Sequence, residues 1–139
     1  MNQEEWREKE AYYERKVKEI IIPMDIDVSS LKRLISEIDA LLTEAVFDYT
    51  RAKNAKEQLT RQAKTYQKQY FLYYKREQKM SDKACDAAAT SSANKEGILE
   101  QEAIAIERYN FMETVVGILR DKREMLITEN GVLKLEAGL

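Results

Sequence analysis

The fifty residues from Ser30 to Lys79 contain neither glycine nor proline, so nothing in them interrupts a helix. Small and apolar side chains recur through this stretch at steps of three or four residues. They are Leu31, Leu34, Ile38, Leu41, Ala45, Tyr49, Ala52, Ala55, Leu59, Ala63, Tyr66, Tyr70 and Tyr73. This spacing predicts one long helix over 30–79, about 75 Å long at about 1.5 Å per residue, with an apolar stripe on one side.

A shorter helix is predicted before it, over residues 3–22. Its apolar side chains recur at spacings of seven, four and three residues, at Trp6, Tyr13, Val17 and Ile20. Pro23 should end this helix, because proline lacks the backbone N–H that a helix interior needs. The next helix has three candidate N-cap residues, Asp27, Ser29 and Ser30.

Small and polar residues over 80–94 predict a turn that reverses the chain, with a helical turn around Lys83 to Ala89 as one option. A second long helix is predicted over 95–128, and Asn130-Gly131 resembles a C-cap that ends it. The tail 132–139 is apolar for a terminus and should pack on a neighbour or another subunit.

These segments predict an all-α chain that forms one helical domain over 1–139. Its main feature is a long antiparallel helical hairpin, similar to a coiled coil, preceded by the short helix. Alanines at positions 45, 52, 55 and 63 thin one of the apolar stripes, so a single hairpin cannot bury both stripes fully. We therefore expect a homo-oligomer, in which helices pair either within or between chains.

Charge is segregated along the chain. The formal net charge is −2, yet the segment 51–79 carries nine Lys or Arg and only two acids, and the segments 1–20, 21–50 and 80–139 are each net acidic. Five aromatic residues lie within the basic segment. Lysines and arginines that alternate with aromatics are typical of a surface that tracks a phosphate backbone and stacks on bases, which favours single-stranded nucleic acid as the ligand.

A helical projection divides the basic segment. Tyr66, Tyr70 and Tyr73 fall on the apolar stripe, whereas Phe71 and Tyr74 fall within or beside a basic face. Seven bases share this basic face, within an arc of roughly 140°: Lys53, Lys56, Arg61, Lys64, Lys68, Lys75 and Lys79. The candidate nucleic-acid-binding residues are Lys53, Lys56, Arg61, Lys64, Lys68, Phe71, Tyr74, Lys75, Arg76 and Lys79. No sequence-reading module is recognisable, so we expect sequence-nonspecific binding.

Other interpretations remain open. The chain also fits a structural or adaptor coiled coil, in which the lysines pair with acids from residues 95–129 and Phe71 is buried in an oligomer interface. A curved helical module on anionic membranes shares the basic face, but its one candidate for a lipid-inserting segment is 3–22, so no membrane partner is expected.

Catalysis is not expected. The chain has no histidine, which removes the usual nucleophilic triads and zinc sites, and it has no glycine-rich phosphate loop. Cys85 is the single cysteine and has only Lys83 nearby as a base. We expect neither a metal nor another cofactor. The acidic N-terminus lacks an apolar signal core, which favours a cytoplasmic location.

Several short motifs resemble the UvsY-like recombination mediators of T-even-like bacteriophages. They are Ile26-Asp27 leading into Leu31 to Ala45, Tyr73-Tyr74-Lys75 followed by Lys79-Met80-Ser81-Asp82, and Glu136-Ala137-Gly138. The resemblance implies a small helical protein that forms ring oligomers, binds single-stranded DNA and helps to load a RecA-like recombinase onto strands covered by single-strand-binding protein. It implies those two proteins as partners, a role in recombination and repair, and the cytoplasm of the host cell as the location.

Overall fold

The structure, a computed structural model, describes the backbone of residues 1–22 and 26–136, with the side chains of α4 described as far as Glu129. The described chain is all-helical, which confirms the predicted class. Its elements are α1 (Gln3–Glu19), α2 (Val28–Arg76), α3 (Asp82–Lys95) and α4 (Ile98–Glu136).

The long helix α2 begins at a polar cap and continues without interruption for 49 residues. The Asp27 carboxylate accepts the backbone N–H of Ser30 at 2.6 Å, which satisfies one of the unpaired donors of the first turn and lowers the pKa of that carboxyl. The helix ends at Arg76. Three residues later, Lys79 has a left-handed backbone, with φ 51°, where the chain turns toward α3.

The segment 80–94 is not the predicted turn, because residues 82–95 form the helix α3. The helical turn that was one option around Lys83 to Ala89 lies within this helix. The Ser81 hydroxyl caps it by accepting the N–H of Ala84 at 3.3 Å, and the alanines that follow are strong helix formers. Cys85, Ala89 and Ala93 recur at steps of four and are all buried. Composition indicated a loop, whereas the cap and the spacing indicate a helix.

The turn that leads into α4 is only two residues long, Glu96-Gly97. Gly97 has φ 73°, a left-handed conformation that glycine adopts without strain. The predicted C-cap at Asn130-Gly131 is wrong, because α4 continues to Glu136 and Gly131 does not adopt a positive φ. The first helix ends at Glu19, three residues before its predicted end, and Pro23 lies outside the described residues.

The chain divides into two compact units, and the boundaries fall inside α2 and α4. Unit 1 contains residues 1–49 and 111–139, and unit 2 contains residues 50–110. Each unit therefore contains parts of three helices. Unit 1 has α1, the first part of α2 and the second part of α4, whereas unit 2 has the second part of α2, all of α3 and the first part of α4.

Large apolar side chains form the core of unit 1. Leu31, Ile38 and Leu126 are fully buried and pack together, with isoleucines from the end of α1 and the following connector against them. Met112 and Leu119 on α4 and Tyr13 on α1 are also fully buried. The Tyr13 hydroxyl donates to Asp48 at 2.5 Å, and Lys9 pairs with the same carboxylate at 2.5 Å, so the buried charge is compensated.

The carbonyl end of α1 is held by a lysine from α4. Lys122 donates from Nζ to the backbone oxygens of Val17 and Ile20, both at 2.9 Å. A cation at a helix C-terminus satisfies free carbonyls and interacts favourably with the helix dipole. These contacts attach α1 to the rest of unit 1.

Unit 2 buries small side chains. Its buried apolar residues among those described are Ala63, Cys85, Ala89, Ala93 and Ala105. Polar contacts connect its helices: the Tyr74 hydroxyl lies 2.9 Å from that of Ser92, and the Tyr70 hydroxyl donates to Glu96 at 3.1 Å. The small side chains leave little apolar area to bury, so apolar burial stabilises unit 2 less than unit 1.

Candidate nucleic-acid interface

Four of the predicted bases, Lys53, Arg61, Lys64 and Lys68, are exposed on α2 within unit 2. We call these four residues the open basic patch. No carboxylate of the described residues lies within 4.0 Å of their charged groups. Their charges therefore remain available to an anionic ligand.

Two other predicted bases have partners inside the chain. The Lys56 ammonium lies over the Tyr109 ring, 4.1 Å from its centroid, in a cation–π contact between α2 and α4. Lys75 donates to Asp82 at 2.7 Å, and this hydrogen bond, together with the carboxylate charge, raises the pKa of Lys75. These two lysines are less available to a ligand than the open basic patch.

Arg76 and Lys79 are exposed at the C-terminal end of α2, one as the last residue of the helix and the other just beyond it. Cations at this position are favoured by the negative end of the helix dipole. They extend the positive surface toward the start of α3.

Four of the five aromatic side chains have exchanged their predicted environments, whereas Tyr70 is half-buried, as its place on the apolar stripe indicated. Tyr66 and Tyr73, which were expected on the apolar stripe, are 40% and 50% exposed. Phe71 and Tyr74, which were expected on the basic face, are half-buried, and Tyr74 is hydrogen-bonded to Ser92 of α3.

Helical geometry explains this exchange. The predicted stripe runs from Leu31 to Tyr73 in twelve steps that average 3.5 residues, whereas twelve steps of an α-helix cover about 43 residues at about 3.6 per turn. The buried stripe therefore reaches Tyr74 instead of Tyr73. The helix α3, which the composition did not indicate, packs near this stripe, so Phe71 meets a neighbour there.

Phe71 lies in a groove between α2 and α3 with a volume of about 450 Å³. The groove, which we call the Phe71 groove, is open to solvent. It is lined by Gln67, Lys68, Phe71, Asp86, Ala89 and Thr90. Lys68 belongs to both the groove and the open basic patch, so the two features are continuous.

The α3 residues of this groove, Asp86 and Thr90, were missed in the sequence because 80–94 was assigned to a turn. The signal for them was present. A serine at position 81 followed by small apolar residues at steps of four predicts a helix on which Asp86 and Thr90 share a face.

The alternative prediction placed acids from residues 95–129 opposite the basic segment. Glu96 does reach α2, but it accepts a hydrogen bond from Tyr70, which raises the pKa of that phenol, and it does not pair with a lysine. The acid that pairs with Lys75 comes from α3.

Comparison of the chain with protein-family models, with curated protein sequences and with solved structures gave no match. Within residues 1–22 and 26–136, no group of three or more acids or cysteines is arranged to hold a metal ion. None of the helices formed by the described residues is long and apolar enough to cross a membrane.

Proposed function

We propose that this chain binds single-stranded nucleic acid through the open basic patch, whose contacts to the phosphate backbone do not read sequence. One observation carries the proposal. Four exposed bases, which have no carboxylate of the described residues within 4.0 Å, lie together in unit 2. This unit has twelve Lys or Arg against eight Asp or Glu, a net +4, although the whole chain is acidic. Concentrated positive charge of this kind attracts a polyanion and gives salt-sensitive binding.

The finer role that we propose is that of a recombination mediator which loads a RecA-like recombinase and works as a homo-oligomer with coiled-coil-like helix pairing. It rests on the resemblance of Tyr73-Tyr74-Lys75 and Lys79-Met80-Ser81-Asp82 to the UvsY-like family. Unit 1 has eleven bases against seventeen acids, a net −6, and therefore repels nucleic acid. We therefore assign the contacts with the recombinase and the single-strand-binding protein to unit 1.

The number of phosphate contacts determines how strongly the binding constant should depend on salt. If four phosphates are neutralised, log K should fall with log salt at a slope of about −3, because each contact to a single strand contributes about −0.7. Raising the salt from about 50 mM to about 200 mM should then weaken binding by about 50-fold.

Fluorescence anisotropy with a labelled single-stranded oligonucleotide tests this proposal. The double variant Lys64→Glu plus Lys68→Glu removes two phosphate contacts, so its salt slope should become shallower by about 1.4. The matched control is Lys18→Glu plus Lys32→Glu, which makes the same change in net charge at exposed positions of unit 1. The control should bind nearly as tightly as the wild type.

Two results would overturn the proposal. One is the absence of binding at low salt. The other is an equal loss of affinity in the two double variants, which would mean that net charge matters and the open basic patch does not.

An adaptor function is the second candidate, and exposed apolar surface on unit 2 favours it. Tyr66 and Tyr73 are exposed on the flank of α2 that lies about 170° from the open basic patch, so a bound strand would leave them uncovered. Light scattering and anisotropy, measured on the same variants, distinguish the two functions. An adaptor should lose its assembly in Tyr66→Ser plus Tyr73→Ser, and the wild-type adaptor should bind no single strand at low salt. A strand-binding protein should bind the single strand as wild type and lose that binding when Lys64 and Lys68 are reversed.

A further inference from the structure

We infer that the Phe71 groove holds one unpaired base of the bound strand, stacked on Phe71, with its polar edge toward Asp86. The inference rests on the proposed function and deepens it. It assigns a base-binding role to a groove of which one wall belongs to α3, a helix outside the predicted site.

The position of Lys68 connects the groove to the backbone contacts. Its side chain lines the groove, and it lies one turn of α2 after Lys64 in the open basic patch. A strand whose phosphates contact Lys64 and Lys68 therefore passes the mouth of the groove. Phe71 follows Lys68 by three residues, on the same side of the helix.

The shape and lining of the groove suit a flat, partly polar group. Its volume of about 450 Å³ falls within the range of small-molecule sites, about 300–1,000 Å³. Phe71 offers an aromatic ring that is partly exposed, and Ala89 contributes only a methyl group to the opposite wall. Gln67 and Thr90 supply adaptable donors and acceptors at the rim.

Asp86 determines which part of a nucleotide can enter. An ionised carboxylate only accepts hydrogen bonds and repels phosphate, so the group that faces it must be a donor. The amino and imino edges of bases are such donors. Guanine presents its N1–H and N2–H groups side by side, which matches the two oxygens of one carboxylate, whereas thymine presents a single N–H.

The exposed tyrosines do not offer the same site. Tyr66 and Tyr73 lie about 170° around α2 from the open basic patch, and the helix is about 10 Å across. A base attached to phosphates on the patch would have to reach around the helix to stack on them. Tyr66 therefore serves as a matched control for Phe71.

The test measures anisotropy with three labelled strands of equal length. One is an abasic sugar-phosphate strand, one is all thymidine, and one is thymidine with a few interspersed guanosines. Wild-type protein should bind the thymidine strand about tenfold more tightly than the abasic strand, because stacking of a base on an aromatic side chain has about this effect. The strand with guanosines should bind more tightly again.

The variants assign each effect to a residue. Phe71→Leu should bind the thymidine strand no more tightly than the abasic strand while keeping its abasic affinity, and Phe71→Tyr should restore the difference. Asp86→Asn should remove the preference for the strand with guanosines. Tyr66→Leu should change none of these ratios.

The outcomes separate the inference from the proposed function. If the abasic strand binds in a salt-sensitive way but wild-type protein does not distinguish it from the thymidine strand, the inference is wrong and the proposed function stands. If Phe71→Leu weakens binding of the abasic and thymidine strands equally, Phe71 has a structural role and the inference again fails. If the abasic strand does not bind at low salt, both are wrong.

Discussion

The two compact units contain three helical segments each, but they bury different side chains and carry opposite charge. Unit 1 encloses leucine, isoleucine, methionine and tyrosine side chains, whereas the buried apolar residues described in unit 2 are four alanines and a cysteine. Unit 1 has a net charge of −6 and unit 2 a net charge of +4.

This difference indicates a division of roles. Burial of large apolar side chains is the main source of folding free energy, so unit 1 should contribute most of the stability. Positive charges that are close together repel one another. In unit 2 this repulsion acts on a core of small side chains, which contributes little folding free energy. A bound polyanion would relieve this repulsion. The comparison therefore predicts which substitutions of buried side chains lower the free energy of unfolding. In unit 1 these are replacements by smaller side chains, and in unit 2 they are replacements by larger ones.

The largest expected effect is in unit 1. Leu119→Ala removes a fully buried side chain from α4 and leaves a cavity, so the free energy of unfolding should fall by about 2 to 5 kcal/mol. Urea unfolding followed by circular dichroism measures the change. The neighbouring Ile118, 37% exposed, is the matched control, and Ile118→Ala should cost far less. Similar losses in both variants would contradict a large-residue core in unit 1.

The next effect concerns the polar contact that attaches α1. Tyr13→Phe removes the hydroxyl that donates to Asp48, a carboxylate only 6% exposed, and should cost about 1.5 to 3 kcal/mol. Tyr12→Phe is the control, because its hydroxyl donates to Glu44 at the surface, and it should cost less. Equal costs would mean that burial of the acceptor is unimportant.

The same variant has a predicted pH dependence. Burial, together with the hydrogen bond to Asp48, raises the pKa of the Tyr13 phenol far above its ordinary value. The protonated phenol therefore makes its full contribution to the free energy of unfolding below pH about 10, the ordinary tyrosine pKa. That contribution is lost as the pH rises above this value and the phenol ionises. The stability difference between wild type and Tyr13→Phe should narrow in alkaline solution. A constant difference would show that the phenol titrates normally.

A smaller effect is expected from enlargement in unit 2. Ala93→Leu adds three carbons at a fully buried position of α3 and should cost about 1 to 3 kcal/mol through overpacking. Ala87→Leu, at an exposed position of the same helix, should be nearly neutral. If Ala93→Leu stabilised the protein, unit 2 would contain a void where the structure shows close packing.

The smallest effect is expected at the surface of unit 2. Lys75→Ala removes an ion pair with Asp82 in which both side chains are largely exposed, and surface pairs of this kind contribute little. The midpoint of thermal unfolding should not change measurably. A clear decrease would show that this pair holds the start of α3, which would make the polar contacts of unit 2 more important than we propose.

Much of the helical content was predictable from local chemistry. The fifty residues without glycine or proline indicated a long helix, and α2 covers most of them. Asp27, one of the three candidate caps, does cap α2. By contrast, α3 was not predicted in full, because its serines, aspartates and asparagine are typical of turns. Only the capping, the spacing and the alanines indicate a helix there.

In the candidate site, the exposure of the basic side chains was predictable from the sequence. The burial of the aromatic side chains was less predictable. The bases at 53, 61, 64 and 68 are exposed as the projection indicated. Four of the five aromatic environments were reversed, because a small difference between 3.5 and 3.6 residues per turn accumulates over twelve steps. An error of one residue at the end of a long helix moves a side chain by about 100°.

The sequence by itself determined the all-helical class, the position of α2 and the concentration of positive charge, because these depend on local propensity and on counting residues. Tertiary structure alone decided which side chains lie between helices. It placed Phe71 and Tyr74 beside α3, left Tyr66 and Tyr73 about half exposed, and added Asp86 to the groove. The physical reason is that burial depends on where a second helix packs, and the pattern of a single helix does not contain that information.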